Sequence, residues 1–153
     1  MLRQGSALLR TRPRLLLVDD DSQLLDLSCS VLTLSGYSVF TATNPNKAIG
    51  LAKRQRPDLM IVDYRMPVMD GCTLADRLRV IMPRLPVILY SGALDIPNSE
   101  LSKVNAFVPK SDGVLTLLHS VARLLASANS SGHKVSSENP TRMYSGRVVG
   151  SSR

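Results

Sequence analysis

A chain of 153 residues with a formal charge of +7, 44% apolar and 20% charged side chains, has room for one folded domain with extensions and not for two domains. Its longest apolar runs, such as Leu15–Val18 and Val87–Tyr90, span four residues, against the roughly 20 that a membrane-spanning helix requires; the sequence therefore predicts a soluble, cytoplasmic protein that makes no membrane contact. Two cysteines, Cys29 and Cys72, lie far apart without histidine neighbours, which argues for small buried side chains in a reducing compartment and against a zinc site or disulfide framework.

The positive charge divides unevenly. Residues 1–14 carry Arg3, Arg10, Arg12 and Arg14, or +4, and residues 126–153 carry Lys134, Arg142, Arg147 and Arg153 against Glu138, or +3. Residues 15–125 hold eleven basic and eleven acidic side chains and are neutral. Direct sequence-specific DNA binding is not expected, because readout needs a basic groove-facing element as well as net charge. The opening MLRQGSALLRTR is Arg-rich and acid-free; it reads as a flexible basic extension over 1–13 rather than as a transit peptide. From Ser127 to Arg153 the composition turns to Ser, Gly and Asn without an apolar period, the signature of a disordered basic tail. A single domain over 14–126 is left, with no room for an effector domain.

Within that domain, short β-rich runs alternate with segments of helical period. The strand candidates are Arg14–Val18, Tyr37–Ala42, Leu59–Val62, Val87–Tyr90 and Ala106–Val108. Ser22 is placed to cap a first helix that ends before Gly36, and Asn44 to cap a second with Pro45 at its first position. Thr73 opens a third, running to about Ile81 before Pro83. The segment Gly92–Asn105 is short and carries Pro97, Asn98 and Ser99, so the fourth helix is expected to be abbreviated or irregular. Val114, Leu117, Leu118, Val121, Leu124 and Leu125 form one apolar stripe on a last helix. This alternation implies an α/β fold: a parallel sheet with right-handed crossovers, helices on both faces, and a ligand site at the carboxyl ends of the strands.

The residues that carry chemistry fall at those ends. The first strand runs into Asp19, Asp20 and Asp21, the third into Asp63, the fourth into Ser91, and Lys110 follows the fifth. Crowded carboxylates repel one another unless a cation is bound. Oxygen-only ligands select Mg²⁺ over zinc or copper, and Mg²⁺ retains waters and accepts phosphate as a ligand; a helix-dipole explanation accounts for Asp21 alone. A carboxylate at Asp63 beside such a cation can attack phosphorus to give an acyl phosphate, with Ser91 donating to one phosphoryl oxygen and Lys110 neutralising another. Taken singly, a serine at a strand end also serves as a turn former, and a lysine after a strand as a solvated charge.

Together these residues resemble the receiver domain of bacterial two-component response regulators, in its single-domain, CheY-like form. The run Asp63–Gly71 reads as that family's Asp-x-x-Met-Pro-x-Met-Asp-Gly, joined in order by Val18–Asp20, Pro86–Gly92 and Phe107–Lys110; the resemblance covers about residues 14–125. It implies a flavodoxin-like, doubly wound five-stranded parallel sheet of strand order 2-1-3-4-5 with helices on both faces. It further implies a phosphorelay function: Asp63 as phosphoacceptor for a histidine kinase or histidine phosphotransfer protein, without true enzymatic turnover of a substrate. Mg²⁺ would be held by Asp19, Asp20, Asp63 and the backbone carbonyl of Arg65. Ser91 and Lys110 would stabilise the phosphoryl group, Ser91 and Phe107 would form the switch pair, and residues 95–125 would meet a downstream protein target.

This sequence departs from the family in placing its proline before the lysine, as Pro109, with Ser111 after it. Arg65, two residues past the phosphoacceptor, either pairs with or shields the phosphoryl group or lies on the surface. Two other readings stand beside this one. Asp19-x-Asp21 also looks like the nucleophile motif of haloacid-dehalogenase-type phosphatases, with Ser91 and Lys110 at later positions. The third reading is a receiver-shaped interaction module that signals without phosphate.

Overall fold

The computed structural model describes residues 11–131; the expectations for residues 1–10 and 132–153 lie outside the described residues. Strands β1 (Arg14–Val18), β2 (Ser38–Ala42), β3 (Leu59–Val62), β4 (Val87–Ser91) and β5 (Ala106–Pro109) alternate with helices α1 (Ser22–Leu34), α2 (Pro45–Gln55), α3 (Gly71–Ile81), α4 (Asn98–Leu101) and α5 (Gly113–Ser131), a 3₁₀ turn at Lys110–Asp112 linking β5 to α5. All strand pairs are parallel, in the order β2-β1-β3-β4-β5, as the sequence pattern and the family resemblance imply.

Strand alternation distributes the core over two faces. Leu16, Val18, Met60, Val62, Val87 and Leu89 point to the side covered by α2 and α3, where Ala48, Ala52, Leu74, Ala75 and Leu78 meet them. Leu15, Leu17, Leu59, Ile61, Ile88 and Tyr90 point the other way, to Leu25 and Leu32 of α1 and Leu117 and Val121 of α5. The central strands β3 and β4 are buried at every position, which is why they read as continuous apolar runs rather than alternating ones.

Helix starts depart in detail from the sequence reading. Asp21, not Ser22, caps α1, its carboxylate accepting from the backbone N–H groups of Gln23 and Leu24; a charged cap also meets the positive end of the helix dipole. Asn44 caps α2 as expected, accepting from Lys47 N–H with Pro45 at the first turn. Helix α3 begins two residues before Thr73, because Asp70 accepts the Thr73 N–H and starts it at Gly71. Helix α4 is a single turn of four residues, as the interrupted Gly92–Asn105 segment predicts. Helix α5 overruns the expected boundary: it continues through Ser127 to Ser131, where Ser127, Ser130 and Ser131 turn their hydroxyls back onto carbonyls four residues earlier. Cys72 is buried, but Cys29 is only half-buried, a correction to the expectation that both would be core side chains. No described helix is long and apolar enough to cross a membrane.

Candidate functional site

Strand register assembles the site. Val18 of β1 pairs with Val62 of β3, so the residues that follow, Asp19 and Asp63, emerge side by side at the carboxyl edge. Their backbones extend the ladder, Asp19 N–H donating to Ala42 O (3.1 Å) and Asp63 N–H to Val18 O (3.0 Å). This is also where strand order reverses, β1 having β2 on one side and β3 on the other, the crevice in which open α/β sheets place their ligands.

Asp19, Asp63 and Ser91 are buried polar residues at the carboxyl edge of a largely apolar interior. Lys110 offsets the two acids: its Nζ lies 2.8 Å from Asp19 Oδ2 and 3.2 Å from Asp63 Oδ2. Although Pro109 precedes the lysine here, Ser91 pairs with Pro109 across the β4–β5 ladder, and this brings the next residue to the site. Burial works against the charge on Lys110, but the hydrogen bond to Asp19 and the charges of Asp63 and Asp19 outweigh it and hold the ammonium above its ordinary range. Burial pushes the Asp19 carboxyl up, while Lys110 and the N–H of Asp21 pull it down without cancelling the shift.

Asp20 is exposed, and carboxylate oxygens of Asp19, Asp20 and Asp63 lie within 4.8 Å of one another. Three hard oxygen donors on a rim that already draws in an ammonium suit a divalent cation of the magnesium type. Asp21, the third acid of the run, is outside this group because its carboxylate caps α1. A second cluster, Asp70, Cys72 and Glu100, is spoken for differently. Asp70 caps α3, Glu100 pairs with Lys103 at 2.9 Å, and burial followed by the charge of Glu100 pushes the Cys72 thiol up to about 12, so it keeps its proton.

The loop from Asp63 to Gly71 is held tightly. Gly71 N–H donates to Tyr64 O (2.9 Å), and a Cβ at Gly71 would lie 2.2 Å from the Asp63 carbonyl oxygen; only glycine allows that approach. Val68, at the tip, has φ +76°, and Met69 N–H donates to Pro67 O two residues back at 2.9 Å. That is a γ-turn, a strained conformation for a β-branched residue.

An open cavity of about 470 Å³ gathers Asp63, Arg65, Ser91, Asp95 and Lys110. Ser91 Oγ accepts from Ala93 N–H at 3.3 Å, fixing the turn after β4. Arg65 lies on the cavity's surface and pairs with Asp95 at 2.5 Å, so of the two sequence alternatives its side chain takes the surface one. Asp95 was not singled out in the sequence; a contact across thirty positions between two surface side chains leaves no periodic signal. Phe107 projects from edge strand β5 on the face where the single-turn α4 leaves it uncovered, 37% exposed.

Residues 15–115 match the family model of the response regulator receiver domain. The transcriptional regulatory protein PrrA of Mycobacterium tuberculosis is 40% identical over 82 residues, which cover 54% of this chain and 35% of that protein. The DNA-binding dual master transcriptional regulator RpaA of Synechocystis is 33% identical over 116 residues, covering 74% and 46%. The chain thus spans a third to a half of these two regulators. Among solved structures, a CheY-like receiver domain protein from Methanospirillum hungatei superposes with a TM-score of 0.75 at 25% identity, over 80% of this chain and 100% of that one. The response regulator TrrA of Thermotoga maritima, solved with Mg²⁺ and beryllofluoride, does so at 0.69 and 26% over 73% and 98%. Nothing in these matches supports the phosphatase alternative, and the second acid of its motif, Asp21, is spent on a helix cap. Sheet order, site geometry and family match agree: the chain belongs to the receiver domain family of two-component response regulators.

Proposed function

We propose that Asp63 accepts a phosphoryl group from a phosphohistidine of a histidine kinase or a histidine phosphotransfer protein. A carboxylate oxygen of Asp63 attacks phosphorus, the P–O bond forms as the P–N bond breaks, and the departing imidazole nitrogen keeps the electron pair and takes up a proton. Mg²⁺ would be held by Asp19, Asp20, Asp63 and the Arg65 backbone carbonyl; when bound it supplies positive charge to the phosphoryl oxygens and relieves repulsion among the carboxylates. Lys110 stays with the phosphoryl group as its counter-charge and Ser91 donates to another oxygen. The observation that carries this reading is the ammonium of Lys110 bridging two buried aspartates at 2.8 and 3.2 Å, a site whose charge is built to be exchanged.

Output follows from the same contacts. When Ser91 turns its hydroxyl to the phosphoryl group it leaves Ala93 N–H, the β4–α4 turn shifts, and Phe107 moves inward, its ring gaining roughly 1–2 kcal/mol on burial. The surface formed by residues 95–125 then differs between the two states and recruits a downstream protein.

With a small phosphodonor such as acetyl phosphate and Mg²⁺, intact-mass spectrometry is expected to show one phosphoryl group per chain, lost in Asp63→Asn and in chelator. Labelling that persists in Asp63→Asn would overturn the assignment. Failure of Mg²⁺ and beryllofluoride to bind would favour a module that signals without phosphate.

A further inference from the structure

The opposite end of the domain carries the opposite charge. In a parallel sheet every strand starts at one edge, and the helices between strands run back to end there. Arg12 and Arg14 stand at the start of β1, Lys53 and Arg54 in the last turn of α2, Arg56 at its cap, and Arg84 before β4. All six are exposed, and among the described residues none of them forms an ion pair. The negative end of the α2 dipole accounts for Lys53 and Arg54; it does not account for Arg12, Arg14 or Arg84, which lie outside helices.

Between the α2–β3 and α3–β4 turns lies a cleft of about 400 Å³, with Arg56 on one turn, Arg84 on the other, and Pro57, Met82, Pro83 and Pro86 between them. Its one carboxylate, Asp58, accepts the backbone N–H of Arg14 at 2.7 Å. A second cleft leads from Arg84 and Pro86 to Ser131, so both ends of the described chain adjoin this face. The sequence that continues from them holds Arg3 and Arg10 on one side, and Lys134, Arg142, Arg147 and Arg153 against Glu138 on the other. Both ends of the described chain therefore adjoin the edge where the domain's own exposed arginines stand, of which Arg14 also donates through Nη1 to the Gln55 carbonyl at 2.8 Å.

We propose that this face binds nucleic acid without sequence readout, its arginines taking phosphates and the cleft taking an unpaired base between the guanidinium groups of Arg56 and Arg84. Guanidinium groups match phosphate oxygens in pairs and stack on bases, which lysine does not; five of the six cations are arginine. An anionic membrane is the poorer fit. Membrane contact calls for apolar side chains that insert together, and the exposed ones at this end are split, Leu34 on α1 and the neighbours Val80 and Ile81 on α3, on opposite sides of the sheet.

The proposal does not depend on Asp63 and is tested with the full chain. Fluorescence anisotropy with a labelled oligo-dT on the order of 20 nucleotides is expected to show binding that weakens roughly 50-fold between about 50 and 200 mM salt, as about four neutralised phosphates on a single strand require. Arg54→Glu/Arg56→Glu/Arg84→Glu should reduce affinity at least tenfold at low salt, with an unchanged circular dichroism spectrum. Should that variant misfold, Arg56→Gln/Arg84→Gln serves, with a loss of severalfold and a shallower salt slope. No binding at low salt overturns the proposal. So does affinity that is unchanged in the folded variants, and so does tighter binding to phosphatidylserine vesicles than to the oligonucleotide.

Discussion

The two edges of the sheet are built from one alternating sequence and end up as opposites. The carboxyl edge gathers Asp19, Asp20, Asp21, Asp63, Asp70, Asp95 and Asp112; the amino edge gathers Arg12, Arg14, Lys53, Arg54, Arg56 and Arg84. Residues 15–125 carry no net charge, yet the chain visits the two edges in turn, so a count along the sequence averages away what the fold separates. Part of the separation follows from architecture. Every helix N-terminus lies at the carboxyl edge, where Asp21 and Asp70 serve as caps, and the α2 C-terminus meets Lys53 and Arg54 at the other. The remainder differs in kind: Asp19 and Asp63 are buried and share the Lys110 ammonium beside a strained loop, whereas the amino-edge bases are exposed and form no ion pair among the described residues.

On that contrast, substitutions at the carboxyl edge should disturb folding far more than those at the amino edge. The largest effect is expected from Gly71→Ala. Its new Cβ would meet the Asp63 carbonyl oxygen at 2.2 Å, the carbonyl carbon at 3.0 Å and Val62 Cγ2 at 3.1 Å, and backbone cannot yield as a flexible side chain can. A loss of about 3 kcal/mol or more in denaturant unfolding is expected, with slowed phosphorylation as Asp63 is displaced. A loss below about 1 kcal/mol would mean that the loop is not held as described.

Next comes Lys110→Met, which leaves Asp19 and Asp63 facing each other without their shared cation. Because Lys110 is partly exposed, about 1–3 kcal/mol is expected in metal-free buffer, regained when Mg²⁺ is added, with tighter Mg²⁺ binding since no ammonium competes. The pH dependence has a definite sign. The folded-state value of Lys110 lies above its ordinary 10.5, so the stability it contributes is complete below that value and is lost as pH rises through the higher folded one. Alkaline unfolding curves of the wild type should show this loss and those of Lys110→Met should lack it.

How much of this was legible in the sequence depends on the range of the interaction. The five strands, the abbreviated α4 and the Asn44 cap follow from local pattern. So does the convergence of Asp19, Asp63, Ser91 and Lys110, because a parallel βα repeat sends every strand end to one edge. The Asp21 cap was missed since Ser22 beside it is an equally good capping residue and only backbone geometry chooses between them. The extension of α5 to Ser131 was missed because a serine-rich stretch without an apolar period carries no local helix signal, serine being a weak helix former. The Arg65–Asp95 pair and the basic amino edge were invisible for a common reason: both depend on which residues the fold brings together across long stretches of chain, and neither leaves a period.

Val68→Gly should act in the opposite direction. With φ +76° at the centre of a γ-turn and the side chain 89% exposed, valine contributes strain and almost no packing. Glycine removes the strain but adds unfolded-state entropy, leaving a net gain of about 1 kcal/mol. A neutral or destabilising result would show that the Val68 side chain is packed after all.

The smallest folding effect at the carboxyl edge is expected where that edge most resembles the other one. Arg65 and Asp95 pair at 2.5 Å, yet their side chains are 66% and 75% exposed, so solvent screens the attraction and the ordering of two side chains offsets much of it. Arg65→Ala should shift stability by less than about 1 kcal/mol, within reach of an amino-edge change such as Arg84→Gln. Function should separate the two substitutions. Arg65 and Asp95 line the cavity beside Asp63 while Arg84 stands at the far edge, so Arg65→Ala should change the lifetime of the labelled protein while Arg84→Gln leaves it unchanged. Equal lifetimes in both variants would mean that Arg65 belongs, in its chemistry, to the solvated surface and not to the site.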